Sequence, residues 1–318
     1  MHSGYHWSEV VSLRRQGVIA TLVALVAALL AQPAPGADPG RWRETGHSTV
    51  PIYYYQGVTS DPARNFFFDG IHVGLYRTDS QLGETGRNDD VIPPDVHARE
   101  GYNHIGDISW DDAEGGRVLL PLECYYPPAG NPCNTGSIGV ADPATLRWRY
   151  YVKLDPAEIP KAMWSEVSPD GQLIWTSSGN DLLAYRTADV NAGNAAPAGP
   201  AIKAVRRLAG AVPPSGITGA TFYGDRLYVA GQQPAAGPGD LFQVWSIDLT
   251  TGNRQLEIER TIAGESEGLD VNEALGGVLH WLVQPYNEEN IPTYGVTNGT
   301  LLHYAPNGQQ RGRPVTPR

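Results

Sequence analysis

The sequence predicts an all-β fold, a β-propeller of five blades, and three observations carry that expectation. A short pattern recurs five times: a polar or glycine pair, an aliphatic residue, then Ser, Thr or Asp. Each copy is followed by a turn and then by a run rich in aliphatic or aromatic residues. Outside the N-terminal segment, no stretch sustains the apolar period of about 3.6 residues that marks helices. Units that repeat roughly every fifty residues are the signature of propeller blades or solenoid turns.

The five copies are Gln56-Gly57-Val58-Thr59, Gly106-Asp107-Ile108-Ser109, Ser165-Glu166-Val167-Ser168, Thr218-Gly219-Ala220-Thr221 and Glu267-Gly268-Leu269-Asp270. Counted at their second residues, 57, 107, 166, 219 and 268, the steps are 50, 59, 53 and 49. Each step fits one four-stranded blade. The turns that follow are Asp61-Pro62, Glu114-Gly115-Gly116, Pro169-Asp170-Gly171, Gly224-Asp225 and Gly276-Gly277, built from residues that tolerate positive φ or pre-set φ. Second strands come next at residues 66–68, 118–120, 173–175, 227–229 and 278–281. Third strands follow in most units, at 138–140, 182–185, 242–245 and 301–304. Asp142-Pro143-Ala144-Thr145 and Asp248-Leu249-Thr250-Thr251-Gly252 read as turns into fourth strands, such as 147–152.

The last unit shows only three strands. The stretch around Arg41-Trp42-Arg43-Glu44 is therefore expected to supply its outermost strand and to close the ring, which protects the edges of a radial array. A sixth blade would fit if the long insertion from Thr78 to Gly101 hid strands; five is the expectation.

Residues 1–36 read as a signal peptide. Arg14 and Arg15 precede an apolar run over 18–31, too short to span a membrane, and Ala34-Pro35-Gly36 offers a small-x-small cleavage site. Residues 37–318 are then expected to form a single propeller domain, secreted or extracytoplasmic, monomeric, and without stable membrane insertion after cleavage. Lys+Arg number 23 against 34 Asp+Glu, with no basic stripe, so nucleic acid is excluded as an expected partner. The only cysteines, Cys124 and Cys133, close a short loop, and in an oxidising compartment a disulfide is the natural reading. Such a bond would contribute about 2–3 kcal/mol by restricting the unfolded chain.

In a propeller the first strand of each blade lines the axis, and its start lies near the end of the second strand. The repeated pairs should therefore ring one mouth, surrounded by Asp69, Glu123, Ser178, Gln232 and Gln284, which end the second strands. Read blade by blade, the inner ring is Gln56, Asp107, Glu166, Thr218 and Glu267. Three carboxylates crowded on one line repel one another and lose solvation. Either they share protons, or a cation sits among them, or they accept backbone N–H bonds at the strand entrances. Oxygen-only ligands suit a hard cation, and Ca²⁺ over Mg²⁺ where geometry varies, so an axial Ca²⁺ held by these five residues is the expectation for the site.

His104, three residues before Asp107, should face the same mouth and could act as acid or base. His280 and His303 read as blade packing. Tyr125 and Tyr126, in the cysteine loop, could stack on a sugar or another ring. No nucleophile elbow, P-loop, dinucleotide fingerprint or zinc spacing is present.

The ring order of neutral, acid, acid, hydroxyl, acid resembles that of the calcium-activated nucleotidases (apyrases), five-bladed propellers with an axial Ca²⁺. The resemblance implies that Glu166 and Glu267 stand for glutamate ligands, Asp107 for another, and Thr218 for a serine. Glu267-Gly268-Leu269 is similar to that family's last-blade Glu-Gly-Ile, whereas Gln56 departs from a serine. Ser168-Pro169-Asp170-Gly171 resembles a turn of many secreted propellers, lactonase-like enzymes among them. Five-bladed glycosidases place an acid in the first blade, where Gln56 stands here. The functional expectation is a polar mouth that binds a small molecule or glycan. The alternative is a metal-dependent hydrolase of phosphoanhydride, ester or lactone bonds, with His104 or Glu123 as candidate base.

Overall fold

The computed structural model describes residues 41–70, 73–126, 133, 135–193, 199–237, 239–284 and 298–307. The signal segment, 1–36, lies outside the described residues. Strand β1 (Trp42–Pro51) comes first but belongs to the last blade. Blade 1 is β2 (Val58–Ser60), β3 (Phe66–Asp69), β4 (Leu75–Thr78) and β5 (Glu84–Asn88). In blade 2, β6 (His104–Ile105) and β7 (Ser109–Asp111) both pair with β8 (Arg117–Glu123), followed by β9 (Ser137–Ala141) and β10 (Trp148–Lys153). Blade 3 is β11 (Glu166–Val167), β12 (Leu173–Ser178), β13 (Asp181–Arg186) and β14 (Arg206–Leu208). Blade 4 is β15 (Gly219–Tyr223), β16 (Arg226–Pro234), β17 (Asp240–Ile247) and β18 (Arg254–Ile262). Blade 5 is β19 (Glu265–Asn272), β20 (Val278–Gln284) and β21 (Asn298–Pro306), completed by β1 in the order β1-β21-β20-β19.

Five sheets and no sixth therefore stand among the described residues. The insertion from Thr78 to Gly101 holds the fourth strand of blade 1 and a short helix, α1 (Pro94–Glu100). Local chemistry bounds that helix: proline opens it, where a missing N–H costs nothing, and Gly101 closes it at φ 84.

Each of the five apolar clusters lies between neighbouring blades. Phe67, Leu75, Leu120 and Leu122 join blades 1 and 2, and Leu119, Val140, Ile174 and Leu183 join blades 2 and 3. Trp175, Leu182, Leu227 and Val229 join blades 3 and 4, while Tyr228, Val244, Leu279 and Trp281 join 4 and 5. Phe66, Phe68, Leu282 and Leu301 close the circle between blades 5 and 1. The second strands contribute to every cluster because both faces of a middle strand are covered by adjacent blades, so they read as continuous apolar runs. Closure is made as expected. Trp42 to Pro51 pairs antiparallel with Pro306 to Asn298, with a bulge between Glu44 and Gly46. Trp42 and Val50, both buried, anchor that strand's two ends.

Candidate functional site

The axis is filled by backbone around one carboxylate. The interruption between β6 and β7 falls at Gly106-Asp107-Ile108, which lets Asp107 leave the ladder of its own blade. Its main chain bonds to the segment entering blade 3, Asp107 N donating to Met163 O (3.0 Å) and Ser165 N donating to Asp107 O (3.1 Å). Its side chain reaches the other three blades. Val58 N donates to Oδ1 at 3.0 Å, and Ala220 N and Leu269 N donate to Oδ2 at 2.8 and 3.5 Å. One residue thus ties all five blades together.

Glycine makes that approach sterically feasible. A Cβ on Gly268 would lie 2.4 Å from Val58 N and 2.6 Å from Asp107 Oδ1. One on Gly57 would lie 2.4 Å from Asp69 Oδ1, and one on Gly219 would lie 2.6 Å from Glu267 O. The recurring glycine at the second position of the repeat is therefore a packing requirement at the axis.

Four carboxyl groups gather there. Asp107 and Asp69 are buried, and burial pushes both well above the usual carboxylate range; Asp107 adds to the shift of Asp69, while backbone N–H bonds oppose that of Asp107. Glu166, partly exposed at the start of β11, is raised well above its ordinary value by burial and then by Asp107 and Asp270. Asp270 is pushed up to about 7 by burial, against the hydroxyl of Ser60, which donates to Oδ2 at 2.8 Å. Asp69 has neither side-chain oxygen in a well-aligned hydrogen bond. In such a cluster the protonated forms persist far above the pH at which a solvated carboxyl ionises.

The five residues expected to hold calcium are differently engaged. Asp107 is taken by three backbone amides, and Glu166 Oε1 accepts from Phe222 N at 3.2 Å. Thr218 Oγ1 lies 3.2 Å from Ser266 Oγ and 3.4 Å from both Ala230 O and Glu267 O. Gln56 is half-buried and Glu267 buried. Among the described residues no three His, Cys, Asp or Glu side chains gather as a cation site. Asp270 was missed as an axial acid, and Asp69, placed in the surrounding mouth, joins the axis. The fourth position of the repeat, always Ser, Thr or Asp, was the available signal for Asp270.

Of the five residues expected to end second strands, Gln232 does not, because β16 runs on to Pro234. β3, β8, β12 and β20 end on Asp69, Glu123, Ser178 and Gln284. His104 pairs across the strand with Glu123, and His104 Nδ1 is 3.1 Å from Glu123 Oε1, though not aligned as a hydrogen bond. Lys161 Nζ lies 3.8 Å from Glu123 Oε2, its side chain 46% exposed. The His104 ring packs on Tyr125 at 5.4 Å. Asn103 holds Tyr125 from both sides, donating to its carbonyl and accepting from its N–H, each at 2.7 Å. Tyr126 is exposed and donates to Gly101 O at 2.9 Å. The Cys124–Cys133 disulfide fixes the start of this loop. Beside Lys161 opens a cleft of about 350 Å³ between blades 3 and 4, lined by Ser177, Ser178, Ser215, Thr218 and Gln232 among others.

A five-bladed propeller with an acid-lined axis and a polar mouth is the class of protein these features define. No family model and no curated protein matches the chain. Among solved structures it is similar to a GH43 β-1,3-galactosidase, at TM-score 0.53 and 11% identity over 82% of this chain and 60% of that one. It is also similar to the exo-β-1,3-galactanase of Phanerochaete chrysosporium, solved with β-1,3-galactotriose, at TM-score 0.50 and 8% identity over 79% of this chain and 59% of that one. This chain therefore spans less than two thirds of either neighbour's length. The likeness is one of fold.

Proposed function

We propose that this chain is an exported propeller that binds a glycan at its mouth. The observation that carries this reading is the line of contacts from Tyr125 through His104 and Glu123 to Lys161, which borders a cleft that also offers Ser178 and Thr218 as polar partners. Aromatic faces with convergent hydroxyl, amide and ammonium groups match a sugar, which presents apolar C–H faces and a belt of hydroxyls. Two solved neighbours of the same fold carry names of galactan-active enzymes, which makes β-1,3-galactotriose the first probe. Calorimetric titration with that trisaccharide and with a panel of neutral and acidic oligosaccharides tests the reading. Binding that weakens at least about tenfold in Tyr126→Ala or Lys161→Ala supports it, a change of roughly 1.4 kcal/mol. No heat and no shift in melting temperature with any sugar rejects it. Calcium is left out of this reading, because Asp107 and Glu166 already accept from backbone amides. Calcium or a chelator should leave the melting temperature unchanged, and a clear rise with calcium would restore the axial ion.

A second reading, glycoside hydrolysis, is favoured by Glu166. It is partly exposed, raised well above its ordinary value, and flanked by other carboxyls, as a general acid paired with a second carboxylate requires. The objection that blade 1 lacks an acid is weakened, because Asp69 brings one to the axis beside Gly57. Release of reducing sugar or of 4-nitrophenol from aryl glycosides, lost in Glu166→Gln with binding retained, would establish it. Silence across glycosides leaves the binding reading standing.

A further inference from the structure

Blade 5 carries a line of hydrogen bonds that ring closure does not need. Ser48 on β1, His303 on β21 and His280 on β20 come from three adjacent strands. His280 and His303 are direct cross-strand partners, and Ser48 lies diagonally across from His303, which pairs with Gly46. Ser48 Oγ is 2.8 Å from His303 Nε2, and His303 Nδ1 is 2.8 Å from His280 Nδ1. Two placements of protons fit the line, and in the one that leaves His303 Nε2 as an acceptor His280 Nε2 carries a buried hydrogen with no partner among the described residues. In that placement the serine hydroxyl donates to His303 Nε2, His303 Nδ1–H donates to His280 Nδ1, and His280 keeps its own proton on Nε2. Burial holds His280 neutral, its pKa lowered to about 3, and its ring packs edge to face with Phe66. Burial and then His47 lower His303, so it stands unprotonated at neutral pH.

Two features open the serine end to a reactant. β1 is the outermost strand of its sheet, so one of its edges offers backbone N–H groups that the blade leaves unpaired. The bulge between Glu44 and Gly46 places glycine, at φ 151, opposite His303, and a Cβ there would meet nothing within 4 Å. Ser48 and His303 are each half-buried. Bulges commonly re-aim side chains beside reactive groups.

We propose that Ser48 is a nucleophile, with His303 as its general base and His280 as the positioning residue, and that it accepts an acyl group from small activated esters. Nucleophile, base and orienting group within hydrogen-bond reach form the arrangement that activates a serine. Ser48 Oγ bonds to the ester's carbonyl carbon as its proton passes to His303 Nε2. The bond from that carbon to the alcohol oxygen breaks, and the proton on Nε2 goes to the departing oxygen. Water, deprotonated by His303, then attacks the acyl-serine; carboxylic acid leaves and the serine regains its proton. Ser48 and His303 lie on the two outermost strands of blade 5, and none of the three residues lines the cleft of the glycan reading.

Incubation with a fluorophosphonate or with 4-nitrophenyl acetate, followed by intact-mass measurement and peptide mapping, tests the proposal. One adduct should map to Ser48 and vanish in Ser48→Ala. His303→Gln should slow its formation by about 10²-fold or more, the usual contribution of a general base. His280→Leu should slow it as well, and His280→Asn, whose side-chain oxygen can accept from His303 Nδ1–H, should restore part of the rate. Melting temperatures identify any variant that has lost its fold. No adduct, an adduct on other residues, or an unchanged rate in His303→Gln overturns the proposal; if Ser48→Ala does not fold, mapping of the parent adduct decides alone.

Discussion

A buried carboxylate must replace its lost water with other donors, and Asp107 does so with amides from blades 1, 4 and 5. Asp107→Asn keeps the shape but turns one acceptor into a donor that faces an N–H group. Each buried group left unsatisfied costs about 1–3 kcal/mol, so a loss of roughly 2–4 kcal/mol in urea unfolding is expected. A loss below about 0.5 kcal/mol, ordinary for a surface change, would remove Asp107 from its central role. Asp270 gives the pH dependence. It titrates at about 7 in the fold, against about 3.9 in an unfolded chain. The folded state therefore holds the extra proton between those values. The stabilisation is complete below about pH 4 and is lost as pH rises to about 7, for up to roughly 4 kcal/mol. Asp270→Asn cannot ionise, so it should exceed the parent in stability at pH 8 and match it near pH 4. Equal pH slopes for parent and variant would contradict this. Asp107 and Glu166 were legible in the sequence because an acid at a strand entrance stands out in a repeat. Asp270 was not, because the ring was read from the first two positions of each repeat, whereas Asp270 stands at the fourth, where Ser or Thr occupies the other four copies.

Strands were the most legible elements, since second strands sandwiched between blades must be apolar along their whole length. Blade 1 was the least legible. Its third strand, β4, is Leu-Tyr-Arg-Thr, and its fourth, Glu84–Asn88, is mostly exposed and polar. No neighbour covers this outermost strand, so its sequence carries no apolar period, unlike β10, where Tyr150 to Val152 are buried. The strand entrances were read as ligand positions, yet the glycines within them set how closely blades approach. Gly268→Ala tests that reading. Its Cβ would meet backbone at 2.4 Å from Val58 and at 2.8 Å from Gly57, and backbone cannot rotate away. Overpacking of a tight site costs about 1–3 kcal/mol and sometimes more, so a melting temperature lower by several degrees, or failure to fold, is expected. Gly171→Ala, at a turn with nothing within 4 Å, is the contrast at which only the φ of 68 resists. A milder effect at Gly268 than at Gly171 would show that the axis can relax.

The ring as a whole has one seam, the pairing of β1 with β21. Every other blade folds from consecutive strands, whereas this one joins residues 42–51 to residues 298–306. The outer strand was foreseen from an unassigned β-like stretch and a blade one strand short, an argument from counting that needs no side-chain detail. Closing such a long loop carries an entropic penalty that grows only slowly with length, and the buried Trp42 and Val50 offset it. Without β1, the edge of β21 would present unpaired backbone groups to solvent, a template for association. A chain lacking residues 41–51 should therefore elute as soluble aggregate, or unfold over a broad temperature range. Val50→Asp, which keeps the strand but unseats one anchor, should lower the melting temperature while unfolding stays cooperative. Size-exclusion chromatography and scanning calorimetry read both outcomes. A shortened chain that stays dispersed and melts sharply near the parent's temperature would mean that the five inter-blade cores suffice, and that β1 decorates a ring already closed.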